Sequence, residues 1–179
     1  MFYNHLYIIV KQFLFTVTEH QVKSTLTKRN RKRQLENETP IAFLATLTDH
    51  AEHLGVNQNI KFDNLITNIG DAYNSHGGVF IAPISGIYVF STSIMSMGGT
   101  NSYFALLRNG STITNMFYHG EALTAIDTTS VTVVLELSKG DDISVINKSS
   151  DITVHGYHYS IFTGFLLQEI YNESPVIGK

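Results

Sequence analysis

The sequence predicts an all-β fold, a sandwich or jelly roll, preceded by a short helical arm. Three observations lead there. Between residues 40 and 170, short extended runs recur with Gly, Pro, Asn or Asp between them, the rhythm of antiparallel strands joined by turns. Asn109-Gly110 stands between two such runs, and Asn-Gly is the preferred pair for a two-residue type I′ hairpin turn. No stretch of useful length in the same region repeats apolar residues at helical spacing.

Taken in order, residues 41–48 are apolar with poor alternation, as an inner strand of a sandwich would be. Residues 49–58 are polar, contain Gly55 and read as a loop. Short strands are expected at 59–62 and 65–67. Gly77-Gly78 and Pro83 then punctuate two further extended runs. From 86 to 94 the alternation is clean, with Tyr88 and Phe90 on one face and Ile87 and Val89 on the other. Met97-Gly98-Gly99 reads as a turn. Residues 103–108 and 113–118 form the arms of the Asn-Gly hairpin. In 130–138, Val131, Val133, Leu135 and Leu137 share a face. Lys139-Gly140-Asp141 turns the chain into 143–147. A long aromatic strand, about 153–167, closes the domain.

Hydrophobic content of 43% against 15% charged is that of a globular chain with enough apolar mass for one core. The net charge of -3 hides an asymmetry. Residues 1–39 carry seven Lys/Arg against three Asp/Glu, a net +4, and residues 40–179 carry five against twelve, a net -7. A domain that acidic repels phosphate backbones, so nucleic-acid binding by it is disfavoured. The chain has no cysteine, which excludes a disulfide scaffold, a thiol nucleophile and cysteine-ligated zinc.

The arm is residues 1–39. Residues 6–17 are apolar but interrupted by Lys11 and Gln12, and are shorter than the roughly 20 apolar residues a bilayer span needs. No Lys or Arg precedes them and no small-residue cleavage site follows. The open readings are a weak signal sequence, a truncated start or a helical segment. Residues 17–37 lack Gly and Pro and read as a short helical neck. Val22 and Leu26 share a helical face, but Leu35 does not continue the stripe, so a coiled coil is not supported. No Gly-X-Y repeat is present, which excludes a collagen stalk. The basic run 28–33 reads as a solvated face. Docking on an anionic surface and basic processing are the sharper alternatives.

A denser pattern runs from residue 62 to 90. Phe62, Asn68, Tyr73, Phe80, Gly86, Tyr88 and Phe90 fall at the intervals of the C1q globular-domain signature, with Thr92 standing where the signature ends in an aromatic. Two flanking blocks agree: Ala42-Phe43 with Leu47-Thr48, and residues 162–167 with Gly164 and Phe165. The chain therefore resembles the C1q globular-domain family, relatives of the tumour necrosis factor group, over residues 40–170, with 171–179 as a tail. The resemblance implies a two-sheet jelly roll of about ten antiparallel strands. It further implies assembly as a homotrimer about an apolar axis, with Tyr159, Phe162 and Phe165 in the core or at that axis. It implies a secreted, non-enzymatic pattern-recognition protein of innate immunity, lectin-like, binding glycans or microbial surfaces through loops such as 49–58, 97–102 and 119–129. The alternative it carries is a secreted signalling ligand with a protein receptor.

The chemistry-bearing residues are each weighed against a plain reading. His155 and His158, three apart on a strand, would point to opposite faces and could not share one ion without a bulge. His50 and His53 would be neighbours on a helix, which the surrounding loop does not favour. Exposed or hydrogen-bonded histidines are the plain reading of all eight. There is no G-x-S-x-G elbow for a serine triad. Asp141 and Asp142, with Asp127 and Asp151 in other expected loops, are candidate calcium ligands if gathered at one end of a trimer, since calcium takes six to eight oxygens. The competing explanation is ordinary turn chemistry. Four N-x-S/T sequons, at Asn37, Asn109, Asn147 and Asn172, are candidate glycosylation sites on a secreted chain.

Overall fold

The clean alternation after Gly86 becomes β7 (Gly86–Met97), a strand of twelve residues, and the first sheet is laid around it. The computed structural model describes residues 40–97, 101–120 and 126–170, together with residues 19, 21, 23 and 24 of the arm. The arm and residues 40–179 are separate units. In the arm, Glu19 and Lys23 pair at 3.4 Å across one exposed helical turn. The apolar run, the basic run, Asn37, Asn172 and the turn at Gly98-Gly99 lie outside the described residues.

Among the described residues thirteen strands form two antiparallel sheets. On one side of β7 lies β10 (Ile126–Leu137), paired along its whole length from Ile126↔Met97 to Leu137↔Gly86. On its other side lie β13 (Ile161–Glu169) and, beyond its start, β12 (Ile152–Val154). Next come β1 (Ala42–Thr46), paired to β13, and β2 (Ala51–Leu54), paired to β12. Outermost is β4 (Asn64–Ile69). The second sheet runs β5 (Tyr73–Asn74), β6 (Val79–Ile81), β11 (Asp142–Asn147), β8 (Ser102–Arg108) and β9 (Ser111–Tyr118). A two-residue β3 (Gln58–Asn59) also pairs with β11. Asn109 and Gly110 both take positive φ, 49° and 74°, the geometry a type I′ hairpin turn demands.

The signature residues pack the space between the sheets. Phe43 stacks on Tyr73 at 4.6 Å and meets Phe162 edge-on at 4.9 Å. Phe80 meets Phe90 edge-on at 5.0 Å and Tyr88 at 5.5 Å. The two signature phenols each find a carbonyl: Tyr73 donates to Phe62 O and Tyr88 to Ile84 O. Burial pushes the Tyr73 phenol pKa well up. Asn68 clasps the backbone of Tyr73, donating to its carbonyl and accepting from its N–H. Thr92, the departure from the signature, is buried, and its hydroxyl donates to Ile161 O at 2.9 Å. A hydroxyl bond between β7 and β13 thus occupies the place of an aromatic.

Three expectations are corrected. The stretch 49–58 is not all loop: β2 forms there because β12 offers an edge for Ala51 and Leu54. β10 begins at Ile126 rather than near 130, since β7 extends to Met97 and pairs with it throughout. Finally, 153–167 is not one strand. Residues 155–160 leave the sheet between β12 and β13, turned by Tyr157 and His158 at φ of 53° and 65°. No Gly or Pro marks that turn at those two positions, and a tyrosine rarely takes positive φ, so the sequence reads through it.

Candidate functional site

The registers fix which loops share an end. β1 and β13 are antiparallel, with Ala42 opposite Phe165 and Thr46 opposite Ile161. The chain therefore enters β1 and leaves β13 at one end, called here the base. Residues 47–50 and 155–160 lie at the other end, the apex. β7 rises from base to apex and β10 descends. The loops expected to bind, around 49–58, 97–102 and 119–129, thus begin or end at the apex.

The apex cluster is built on Gly156. A Cβ there would sit 2.1 Å from the carbonyl carbon of Asp49, so only glycine lets the two segments close. Across that contact Tyr157 N–H donates to Thr48 O at 2.8 Å and His158 N–H to Leu47 O at 2.9 Å. Leu47 N–H donates in turn to Ser160 O at 3.1 Å. Ser160 ties the loop to the sheet, donating to His155 O and accepting from Met95 N–H.

On this frame His50 meets His155 edge-on at 4.5 Å and Tyr157 at 4.9 Å, and His155 meets Tyr159 at 5.0 Å. Tyr157 is 60% and Tyr159 58% exposed. Tyr159 therefore lies exposed in this loop rather than in the core, whereas Phe162 is fully buried.

The other histidines go elsewhere. His158 Nδ1 lies 2.8 Å from Thr46 Oγ1. Asp63 accepts from Thr48 N–H at 2.9 Å, and although partial burial opposes it, that bond holds the carboxyl below its ordinary range. His53 Nδ1 lies 2.7 Å from Asp151 Oδ1, which raises the pKa of this exposed ring. His155 and His158 were expected on one strand; both lie in the loop, with different partners. Among the described residues no group of three or more His, Asp or Glu is arranged to hold a metal ion.

Asp141 and Asp142 lie at the base, where β10 ends opposite Gly86. Asp127 lies near the start of β10, opposite Ser96, and Asp151 just before β12, so the four aspartates are not gathered at one end. Asp141 holds the hairpin to the next turn. It accepts from Asn109 Nδ2 at 2.7 Å, Arg108 Nη2 at 2.6 Å and Ser138 N–H at 2.8 Å. Asn109 in turn accepts from Asp142 N–H at 2.9 Å. The Asn109 amide, then the Ser138 N–H and the Arg108 guanidinium, keep the Asp141 carboxyl below its ordinary pKa. Asn147 is fully buried, and its Nδ2 donates to Leu54 O, Gly55 O and Ser149 O.

A second surface lies on the outer face of the first sheet. Ile69, Ala42, Phe165, Val89 and Val134 fall in one row across β4, β1, β13, β7 and β10. At a strand spacing of about 4.8 Å the row is about 19 Å long. Val134 is 62% exposed and Phe165 44%. Sequence reasoning missed this row, because the registers that align its members are set by turns and bulges rather than by any one segment.

The C1q domain family matches residues 42–167. Complement C1q tumor necrosis factor-related protein 3 of Mus musculus is 37% identical over 135 residues, 74% of this chain and 53% of that protein. Heavy metal-binding protein HIP of Mytilus edulis is 33% identical over 130 residues, 71% of this chain and 60% of that protein. The chain thus spans little more than half the length of these curated relatives. Among solved structures, the globular domain of zebrafish complement 1qA protein aligns with a TM-score of 0.62 at 18% identity, over 73% of this chain and 99% of that one. The Eiger tumour necrosis factor of S. frugiperda aligns with a TM-score of 0.64 at 13% identity, over 76% and 98%. These two alignments establish a shared fold.

Proposed function

This chain belongs to the C1q domain family, and from that premise we propose that it is a non-enzymatic recognition protein, working outside the cell as a homotrimer. In this reading it binds carbohydrate or microbial-surface ligands polyvalently, in the manner of a lectin of innate immunity. The observation that carries it is the apolar row on the outer sheet face, Ile69 to Val134. Exposed apolar surface that is continuous across a sheet marks a contact with another protein surface. A second copy of the chain is the partner that membership of this family favours. Packing that face inward leaves each protomer's apex loops free and presents three of them together. Three linked weak sites raise avidity by roughly 10²–10⁴ where geometry allows. Among the described residues no helix is long and apolar enough to cross a membrane.

The experiment is binding of the purified protein to a panel of microbial and host glycans, in calcium and then in chelator. Saturable binding supports the reading, and its loss on chelation would bring calcium into the mechanism. Absence of binding in both conditions would overturn it.

A second reading is a secreted signalling ligand with one protein receptor. What favours it is the 37% identity to a C1q tumor necrosis factor-related protein, together with the shared fold of a tumour necrosis factor. It predicts one tight protein partner and no saturable glycan binding.

A further inference from the structure

We propose that the apex cluster of His50, His155, Tyr157 and Tyr159 is the sugar site, and that it takes neutral pyranosides rather than sialylated or other anionic glycans. The inference rests on the lectin reading above and adds to it a location and a ligand class.

The site offers both halves of sugar recognition. A pyranose presents an apolar C–H face and a rim of hydroxyls. Tyr157 and Tyr159 present exposed rings, and tyrosine gives a large, rigid, amphipathic contact at low entropic cost. The hydroxyl rim would meet the two imidazoles, whose roles are set by the same glycine. Gly156 N–H donates to His50 Nδ1 at 3.1 Å, so in the uncharged ring His50 Nε2 carries the hydrogen and is a donor. His155 Nδ1 lies 3.1 Å from Gly156 O and donates to it, which leaves His155 Nε2 as an acceptor. Neither Nε2 is a buried atom lacking a partner, and both rings belong to half-buried residues at the surface of the apex. One donor and one acceptor, on rings 4.5 Å apart, match adjacent sugar hydroxyls, each of which both gives and takes a hydrogen bond.

The loop is also held ready. Two consecutive bulky residues at positive φ, Tyr157 and His158, are strained, and they persist because the flanking backbone bonds over-determine them. Such a platform loses little freedom on binding, which favours a small, weak ligand.

Charge selects the ligand. Residues 47–53 and 151–160 carry Asp49, Glu52 and Asp151 and no lysine or arginine. Where His53 is protonated, its charge is matched by Asp151 at 2.7 Å. A sialylated glycan would bring a carboxylate to segments that already carry three acidic side chains and no lysine or arginine.

The test compares the 179-residue chain with its Tyr157→Asn/Tyr159→Ser variant, using polyvalent conjugates of galactose, glucose and mannose against a sialyllactose conjugate. Asn tolerates positive φ better than Tyr, so the variant keeps the fold, checked by an unchanged or higher Tm. A loss of about tenfold or more in binding of a neutral conjugate, with Tyr159→Phe retaining it, supports the site. Neutral binding that survives in the folded double variant overturns the site and leaves the lectin reading standing. Wild-type binding of the sialylated conjugate only overturns the ligand class. Binding of no glycan at all overturns both readings together.

Discussion

Gly164 lies so close to the ring of Phe90 that a Cβ in its place would stand 2.4 Å from Phe90 Cδ1. The ring of Phe43 bounds it from a second direction, at 2.8 Å. At an ordinary strand position, replacing Gly with Ala gains about 0.5–1 kcal/mol, because glycine loses more conformational freedom on folding. Here the sign reverses. Both rings are buried and locked against Tyr73, Phe80 and Phe162, so neither can give way. Gly164→Ala is expected to destabilise by about 1–3 kcal/mol through overpacking. Chemical denaturation measures it, and an unchanged or raised midpoint would show that the rings can shift.

Asp141 makes stability depend on acid. Its folded pKa is depressed, first by the Asn109 amide and then by Ser138 N–H and Arg108. The folded form thus favours the ionised carboxylate more than the unfolded chain does. Its contribution is present above the unfolded value near 3.8 and is lost as pH falls through the lower folded value. Asp141→Asn should cost about 1–3 kcal/mol at pH 7, by weakening bonds to a charged acceptor and leaving Arg108 without its partner. It should also flatten the stability profile below pH ~4. Urea titrations of both proteins from pH 7 to pH 2.5 decide it: parallel profiles would remove Asp141 from acid sensitivity.

The base and the core were more legible than the apex, for a physical reason. Asn109-Gly110 announces its turn because both residues accept positive φ cheaply, and Tyr88 and Phe90 announce their face because a strand has a period of two. The apex loop obeys neither rule. Its turn is made by Tyr157 and His158, which favour extended backbone, and it is held by a glycine whose close neighbour, Asp49, is distant in sequence. His50 and His155 meet only because of that contact, so no spacing in the chain could join them. The glycine between two histidines was visible, but its meaning lay in what it approaches.

Asn147 reads as a sequon and sits as a core residue. Its side chain is sealed, and one amide nitrogen serves the carbonyls of Leu54, Gly55 and Ser149, tying β11 to the end of β2. A glycan on that nitrogen would replace one of the two hydrogens that serve these carbonyls, and it could not be enclosed in the space around a fully buried side chain. In protein secreted from a eukaryotic host, peptide mapping should find Asn147 unmodified in the folded fraction. Asn147→Ala should cost at least about 2 kcal/mol, since it strands buried carbonyls. A glycan found at Asn147 in folded protein would mean that this corner opens.

The apolar row gives the assembly its test. Phe165 stands at the centre of it, between Ala42 on β1 and Val89 on β7, with Val134 one strand further on. If three copies close over this face, a charge placed there must be buried unpaired in the trimer, whereas in a monomer it is merely exposed. Phe165→Glu and Val134→Lys, each made singly, should therefore shift the assembly towards monomer by about 3 kcal/mol, roughly a hundredfold in subunit dissociation, while leaving the fold of each copy intact. Light scattering on residues 38–179 at micromolar concentration, with circular dichroism as the check on folding, reads this directly. Deleting residues 1–37 should leave the trimer formed but weaker. A wild-type monomer under these conditions would sink the trimer. A trimer that tolerates both charges would place its contacts on another face, and the row would then need a different partner.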